Sequence, residues 1–249
     1  MDFQHKPVLV AEVLELLDPA RRFTIVDCTL GGAGHSLAIR ELLPVDSWLV
    51  GIDQDDDALA AAGNSMAGYE NVKLLKGNFG QLRTLLEDWK GPIDGFLFDL
   101  GVSSWQLDNP QRGFAYQHDA PLDMRMNQEA LLSAADIVNN WSAREMTGIF
   151  RAYGEEKWSS RVAAFIVKAR ELKPVETTGE LVEIIKAAIP AAARREGGHP
   201  GRRVFQALRI AVNSELENLR LGLEAAIDIC APGGVVAAIS YHSLEDRIV

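Results

Sequence analysis

The stretch Phe23-Thr-Ile-Val-Asp27-Cys-Thr-Leu-Gly31-Gly32-Ala33-Gly34-His35-Ser36 decides the fold. A short run rich in β-branched residues ends in an acid. A glycine-rich turn then opens a helix-like segment over 34–43. Further apolar runs closed by turn residues lie at 47–53, 72–76 and 93–99, with helix-like stretches at 55–67 and 80–89 between them. Strands alternating with helices in this way predict βαβ units, and right-handed crossovers wind them into a parallel sheet with helices on both faces. Upstream, residues 8–17 read as an amphipathic helix, with Pro7 in its first turn and Asp18-Pro19 as its stop.

The alternation ends near residue 104. Helical patterns fill 142–152, 155–172 and 178–188, and one long helix is expected over 202–230. Ala231-Pro-Gly-Gly234 then makes a turn before a fifth strand at 235–240. The fold class is therefore α/β, a Rossmann-like sheet interrupted by an α-helical insertion. The sheet domain takes 1–103 and 206–249, and the insertion takes 104–205.

A glycine turn after the first strand lets a ligand approach the backbone closely. Asp53 ends the second strand 19 residues past Gly34, where a carboxylate can accept from both hydroxyls of a ribose. The dinucleotide fingerprint G-x-G-x-x-G fails at its third glycine, which is Leu37, and this counts against NAD. Asp27 suits a cofactor that carries an ammonium group, and S-adenosylmethionine combines that group with a sulfonium and a ribose. A tight turn with no ligand is the plain alternative. Phe79, after the third strand, reads either as a cover for an adenine face or as a core residue. Asp99, after the fourth strand, reads either as an active-site acid or as a solvated loop residue.

These stretches together resemble one family, the S-adenosylmethionine-dependent methyltransferases that modify the exocyclic N4 of a cytosine in the decoding region of bacterial 16S ribosomal RNA. The resemblance spans nearly the whole chain. It is carried by His5-Lys-Pro-Val-Leu9, Thr29–Ser36, Asp99-Leu-Gly-Val-Ser-Ser104 with Gln106-Leu-Asp108, and Arg112-Gly-Phe114. It continues in Pro121-Leu-Asp-Met-Arg-Met126, Tyr153-Gly-Glu-Glu156, Phe205–Ile210 with Val212–Leu216, and Ala231–Gly234 leading to His242-Ser-Leu-Glu-Asp-Arg-Ile-Val249.

The resemblance implies that Ala33, Gly34 and His35 line the methionine and ribose part of S-adenosyl-L-methionine. It places Asp53 on the ribose, Phe79 on the adenine, and Asp99 and Gln106 near the methionyl end. The inserted domain is expected to face 16S rRNA, within the small ribosomal subunit of the cytoplasm, and a homodimer is left open. Two departures stand out. Trp105 occupies a position where many relatives carry proline. The family also continues past Val249, so the chain reads as a fragment whose last strand would be an exposed edge.

For the chemistry, a cytosine amine is a poor nucleophile because its lone pair is delocalised into the ring. Catalysis is then mainly positioning, with a carboxylate accepting from the amine, and Asp99 is the candidate. Neither Cys28 nor Cys230 sits in a motif for a covalent adduct, and neither belongs to a disulfide framework. His35, His118, His199 and His242 lack ligand spacing, so no metal is expected. His242 either touches the base or the insertion, or belongs to a cap in which Ser243-Leu-Glu-Asp246 starts a helix. Arg125 either contacts phosphate or pairs with Asp123.

Competing classes are an NAD-dependent oxidoreductase, a small-molecule methyltransferase and a non-catalytic RNA-binding module. The net charge of −10 argues at first sight against RNA. Its distribution changes that conclusion. Residues 104–205 hold 14 Lys+Arg against 13 Asp+Glu, so the acidity lies mostly in the sheet domain. Lys186, Arg194, Arg195, Arg202 and Arg203 surround Gly197-Gly198-His199-Pro200-Gly201 with only Glu196 among them. These arginines make a candidate phosphate-binding loop, with a solvated surface loop as the alternative. No run of ~18 apolar residues is present, so no membrane span is expected, and the start lacks a signal-peptide pattern.

Overall fold

A computed structural model describes residues 7–194 and 198–249. The chain divides into two compact units, Met1–Ser103 with Leu216–Val249, and Ser104–Glu215.

The first unit is built on five parallel strands, β1 (Thr24–Asp27), β2 (Trp48–Asp53), β3 (Val72–Lys76), β4 (Gly95–Asp99) and β5 (Val235–Ile239), in the order β3-β2-β1-β4-β5. The order reverses between β1 and β4, which is where open sheets of this kind hold ligands at their carboxyl ends. The register pairs Asp27 with Gly51 and with Leu97, and Asp99 with Ile239.

Alternation along the strands sorts the core into two layers. Ile25, Leu49 and Leu97 point to one face and pack with Val13 and Leu17 of α1 (Val10–Leu17), Ile39 of α2 (Gly34–Leu42) and Ala62 of α3 (Asp56–Ser65). Val26, Val50, Ile52, Phe96 and Phe98 point to the other, against Leu82 of α4 (Leu82–Leu85) and Leu219, Ala225 and Ala226 of α12 (Glu215–Ile229). The doubly wound expectation is thus met, with an apolar layer on each face. Truncating one fully buried ring such as Phe98 to alanine removes about 3–5 kcal/mol of packing.

Three local expectations need correction. The first helix begins at Val10 rather than 8, because Leu9 at its N-cap is left-handed (φ 55°). Pro7 instead packs on Gly34, where any Cβ would fall 2.4 Å from the proline ring. The helix expected over 80–89 is a single 3-10 turn, Phe79–Gln81, followed by the one-turn α4. The long helix expected over 202–230 is broken at Ser214 (φ 50°) into α11 (Arg202–Asn213) and α12.

The second unit is helical. It contains α5 (Ser104–Asp108), α6 (Ala134–Asn140), α7 (Ala143–Ala152), α8 (Ser159–Arg170), α9 (Thr178–Ala188), α10 (Ala191–Arg194) and α11. Capping boxes start three of them: Ser133 with Asp136, Ser142 with Glu145, and Thr177 with Glu180. This unit ends at Glu215, beyond the border at 205 read from sequence, because α11 packs on α6 and α7. Arg209 and Glu215 close it with a two-bond ion pair, both distances 2.9 Å. Among the described residues, no helix is long and apolar enough to cross a membrane.

Candidate active site

The glycine turn after β1 is held from beneath by Asp27. This carboxyl is 1% exposed, and accepts from Ser36 Oγ at 2.6 Å and from the Thr29 amide at 3.1 Å. Burial raises its pKa, against the lowering pull of those two donors. Asp27 therefore shapes the turn from inside. The sequence reading of Asp27 as a partner for a ligand ammonium is not supported by this burial. Asp99, at the end of β4, is by contrast partly exposed.

Asp53 ties β2 to the same turn. Its Oδ2 accepts from the Gly31 amide at 2.8 Å, and Oδ1 accepts from the Asp55 amide at 2.9 Å. Gly31 is left-handed (φ 50°), which permits that approach. Each carboxylate oxygen has a second acceptor site, so the amide bonds leave capacity for ribose hydroxyls. Burial raises the Asp53 pKa to about 6, with the two amide bonds opposing it.

Ala33 is buried and left-handed (φ 66°), so its contribution to the turn is its backbone. It leads into α2, whose first residues are Gly34 and His35. His35 is buried, with Nε2 2.8 Å from the Val8 carbonyl and Nδ1 3.5 Å from Asp99 Oδ2. A carbonyl only accepts, so Nε2 is the donor nitrogen in that contact.

Asp99 is fixed from two further sides. Its amide donates to Thr29 Oγ1 at 2.6 Å, and its Oδ1 accepts from the Tyr241 phenol at 2.9 Å. Its side chain remains 25% exposed. Tyr241 was not singled out in the sequence, although the strand register makes it findable. Ile239 pairs with Asp99, so a residue two positions on, pointing the same way, stands beside that acid. Desolvation first, and the bond to Asp99 second, hold the Tyr241 phenol well above its ordinary pKa. Buried Glu245 accepts from the Tyr241 amide at 2.8 Å and so places the ring.

The same Glu245 also caps a helix together with His242. His242 is the N-cap of α13 (Ser243–Asp246), with Nδ1 accepting from the Glu245 amide at 3.3 Å and Glu245 accepting from the His242 amide. The cap is thus one residue earlier than the Ser243 pattern indicated.

Phe79 packs edge-on against Phe98, centroids 5.6 Å apart, and keeps part of its surface exposed. Gly222 makes room for it, since a Cβ there would meet Phe79 at 3.0 Å. Asn78 caps the following 3-10 turn and donates to Gln54 Oε1 at 3.0 Å, which joins the ends of β3 and β2. One edge of Phe79 is thus core, and the rest of the ring keeps some exposure after the end of β3.

The remaining candidates lie in the helical unit. Gln106 is buried on α5, as part of the segment that also holds Trp105. Arg194 ends α10, and Arg202 and Arg203 form the first turn of α11, all exposed. Arg195 lies outside the described residues. Arg125 pairs with Asp123 through two bonds, 2.9 and 2.6 Å, and donates to the Ala130 carbonyl at 2.8 Å, which decides for the ion pair over a phosphate contact.

The carboxylates at the switch point suit a ligand with a ribose diol and cationic groups, and the strand-to-helix turn is shaped for close approach. The model of the MraW methylase family matches residues 2–249. The chain belongs to the MraW methylase family. Its relatives include the ribosomal RNA small subunit methyltransferase H of Symbiobacterium thermophilum, 53% identical over all of this chain and 79% of the relative. The protein of the same name from Heliobacterium modesticaldum is 54% identical and covered to 80%. That from Heliobacterium mobile is 52% identical and covered to 81%. Membership makes the carboxylate-lined strand ends of this methylase the place to look for its methyl donor.

Proposed function

We propose that this chain methylates the exocyclic N4 of a cytosine in 16S rRNA, using S-adenosyl-L-methionine, on the small ribosomal subunit in the cytoplasm. The observation that carries the reading is that Asp53, bonded to Gly31, and partly exposed Asp99 both stand at the carboxyl ends of the sheet in a methylase-family chain. The relatives' names supply the RNA.

The donor set fits the cofactor. Asp53 would take the ribose hydroxyls, the Gly31–Gly34 backbone and His35 the methionine side, Phe79 the adenine face, and Asp99 the methionyl end. When bound, the sulfonium supplies an activated methyl group. The protein's own task is to orient the amine and raise its nucleophilicity. A carboxylate oxygen of Asp99 accepting an amino N–H concentrates the lone pair on nitrogen and stabilises the positive charge that develops there. Tyr241 holds that carboxylate and Thr29 anchors the Asp99 backbone amide, so its orientation is set before substrate arrives. Asp99 thus has two assigned duties, cofactor contact and amine acceptor. They separate in Asp99→Asn, where lost methyl transfer with retained S-adenosylhomocysteine affinity marks the second.

A thermal-shift comparison tests the cofactor class. S-adenosylhomocysteine is expected to stabilise the chain and NADH to leave it unchanged, and the reverse pattern removes the reading. Among the candidate RNA contacts, Arg194, Arg202 and Arg203 are exposed and basic, and His242 caps α13 through Nδ1. Sedimentation of the purified chain decides between a monomer and a homodimer.

A further inference from the structure

The helical unit carries a second arrangement that methyl transfer itself does not use. The His199 imidazole lies flat on the Tyr116 ring, with centroids 4.3 Å apart and planes 9° apart. Phe205 meets the same Tyr116 ring edge-on, at 5.7 Å and 86°. Phe205 is buried, whereas Tyr116 and His199 each keep part of their surface exposed. The stack is therefore rooted in the unit through Phe205 and reaches solvent through the other two rings.

The turn from His199 to Arg202 is folded tightly. His199 Nδ1 accepts from the Gly201 amide at 3.2 Å, and the His199 carbonyl accepts from the Arg202 amide at 3.1 Å. A Cβ at 201 would meet the imidazole at 3.2 Å, so glycine lets this loop close on the ring. Partial burial, then the charge of Lys186, keeps His199 below its ordinary pKa and hence neutral at pH 7.

The start of α11 is equally fixed. Arg203 Nη1 donates to the Glu155 carbonyl at 3.1 Å, and Gln206 Nε2 donates to the Tyr153 carbonyl at 2.9 Å. A Cβ at Gly154 would fall 2.4 Å from the Arg203 carbonyl, so the Tyr153–Glu156 turn and α11 fit together only with glycine there. This clamp leaves Arg202 exposed on a rigid base, three residues from the stacked imidazole.

A flat aromatic surface beside an exposed arginine is the chemistry that holds an unpaired nucleotide. Bases stack on aromatic or histidine rings irrespective of sequence, and arginine pairs with phosphate. We propose that the Tyr116–His199 stack and Arg202 form a subsite for one unpaired RNA nucleotide, with its base on the rings and its phosphate on the guanidinium. The assignment rests on the rRNA reading above for its choice of RNA as the occupant.

The test uses the whole chain and a synthetic RNA of the 16S decoding region, with binding read by fluorescence anisotropy. His199→Ala is expected to weaken RNA binding about tenfold, the loss typical of one stacked base. His199→Tyr keeps a flat ring but loses the bond to Gly201, and is expected to bind within about twofold of the parent by the same stacking argument. Arg202→Gln is expected to lower the salt dependence by about one counterion. S-adenosylhomocysteine affinity is expected to stay unchanged in all three. Equal RNA affinity for His199→Ala and the parent overturns the subsite. So does equal weakening of His199→Ala and His199→Tyr, which assigns the effect to loop folding. Failure of the parent chain to methylate RNA, with His199-dependent binding intact, overturns the methyltransferase reading and leaves the subsite standing.

Discussion

The Tyr241 phenol donates a 2.9 Å hydrogen bond to Asp99 Oδ1, joining the carboxyl ends of β5 and β4. With Thr29 anchoring the Asp99 backbone amide, this bond fixes a partly exposed carboxylate at the switch point. Asp99→Asn is expected to lower methyl transfer at least about a hundredfold, since the amine loses its charged acceptor. Tyr241→Phe removes one donor, while Asp99 keeps its charge, its backbone bond to Thr29 and its solvent contact. The expected loss is about tenfold, near the lower end for a bond to a charged group. Single-turnover rates at saturating cofactor measure both.

Asp53 makes stability and cofactor binding depend on pH in opposite senses. Burial holds it near pKa 6, above its ordinary 3.8. Between those values the folded chain retains a proton that the unfolded chain has lost. Stability of the cofactor-free protein therefore falls as pH rises from about 4 to 6, by roughly 3 kcal/mol from this group. Ribose hydroxyls donate to the ionised form, so cofactor affinity moves the other way, weakening about tenfold per unit below pH 6. Asp53→Asn is expected to flatten both profiles. Melting temperatures and S-adenosylhomocysteine titrations across pH 4–8 check the two signs.

Ser36 is fully buried, and its hydroxyl serves Asp27. Ser36→Ala leaves Asp27 Oδ2 without that donor, at a cost of about 1–3 kcal/mol. Losing a contact that lowers the Asp27 pKa raises it further, so the ionised form becomes harder to bury. The destabilisation is expected to grow with pH, and thermal melts at pH 5 and pH 8 measure the difference.

Asn213 bridges the loop that carries the Pro121–Met126 motif. It donates to the Met124 carbonyl and accepts from the Met126 amide, each at 2.8 Å, around a buried Met124 held at φ 63°. Asn213→Ala is expected to destabilise the helical unit by about 2–3 kcal/mol through the stranded backbone groups. Hydrogen exchange is expected to rise first over 122–127.

The sheet was legible because its strands are short apolar runs ended by acids and glycines, and their alternation sets the two core layers. Asp53 and Asp99 were legible for the same reason, as the acids that end β2 and β4. The break at Ser214 was not, because a serine in the left-handed region carries no glycine or proline signal. The burial of Asp27 was hidden too, since a strand-end acid reads alike whether it faces a ligand or a neighbouring serine. Tyr241 escaped because its partner is 142 residues away in sequence, and only the pairing of β4 with β5 brings them together. The Tyr116–His199 stack has the same origin, as two rings far apart in the chain that meet only in the folded unit.

The most direct test is to incubate the chain with methyl-labelled S-adenosylmethionine and small ribosomal subunits lacking this modification, then map the label. Methylation at the N4 of a 16S rRNA cytosine, abolished by Asp99→Asn in a folded protein, is the predicted result. Label on another atom or molecule, or undiminished transfer by Asp99→Asn, would contradict it.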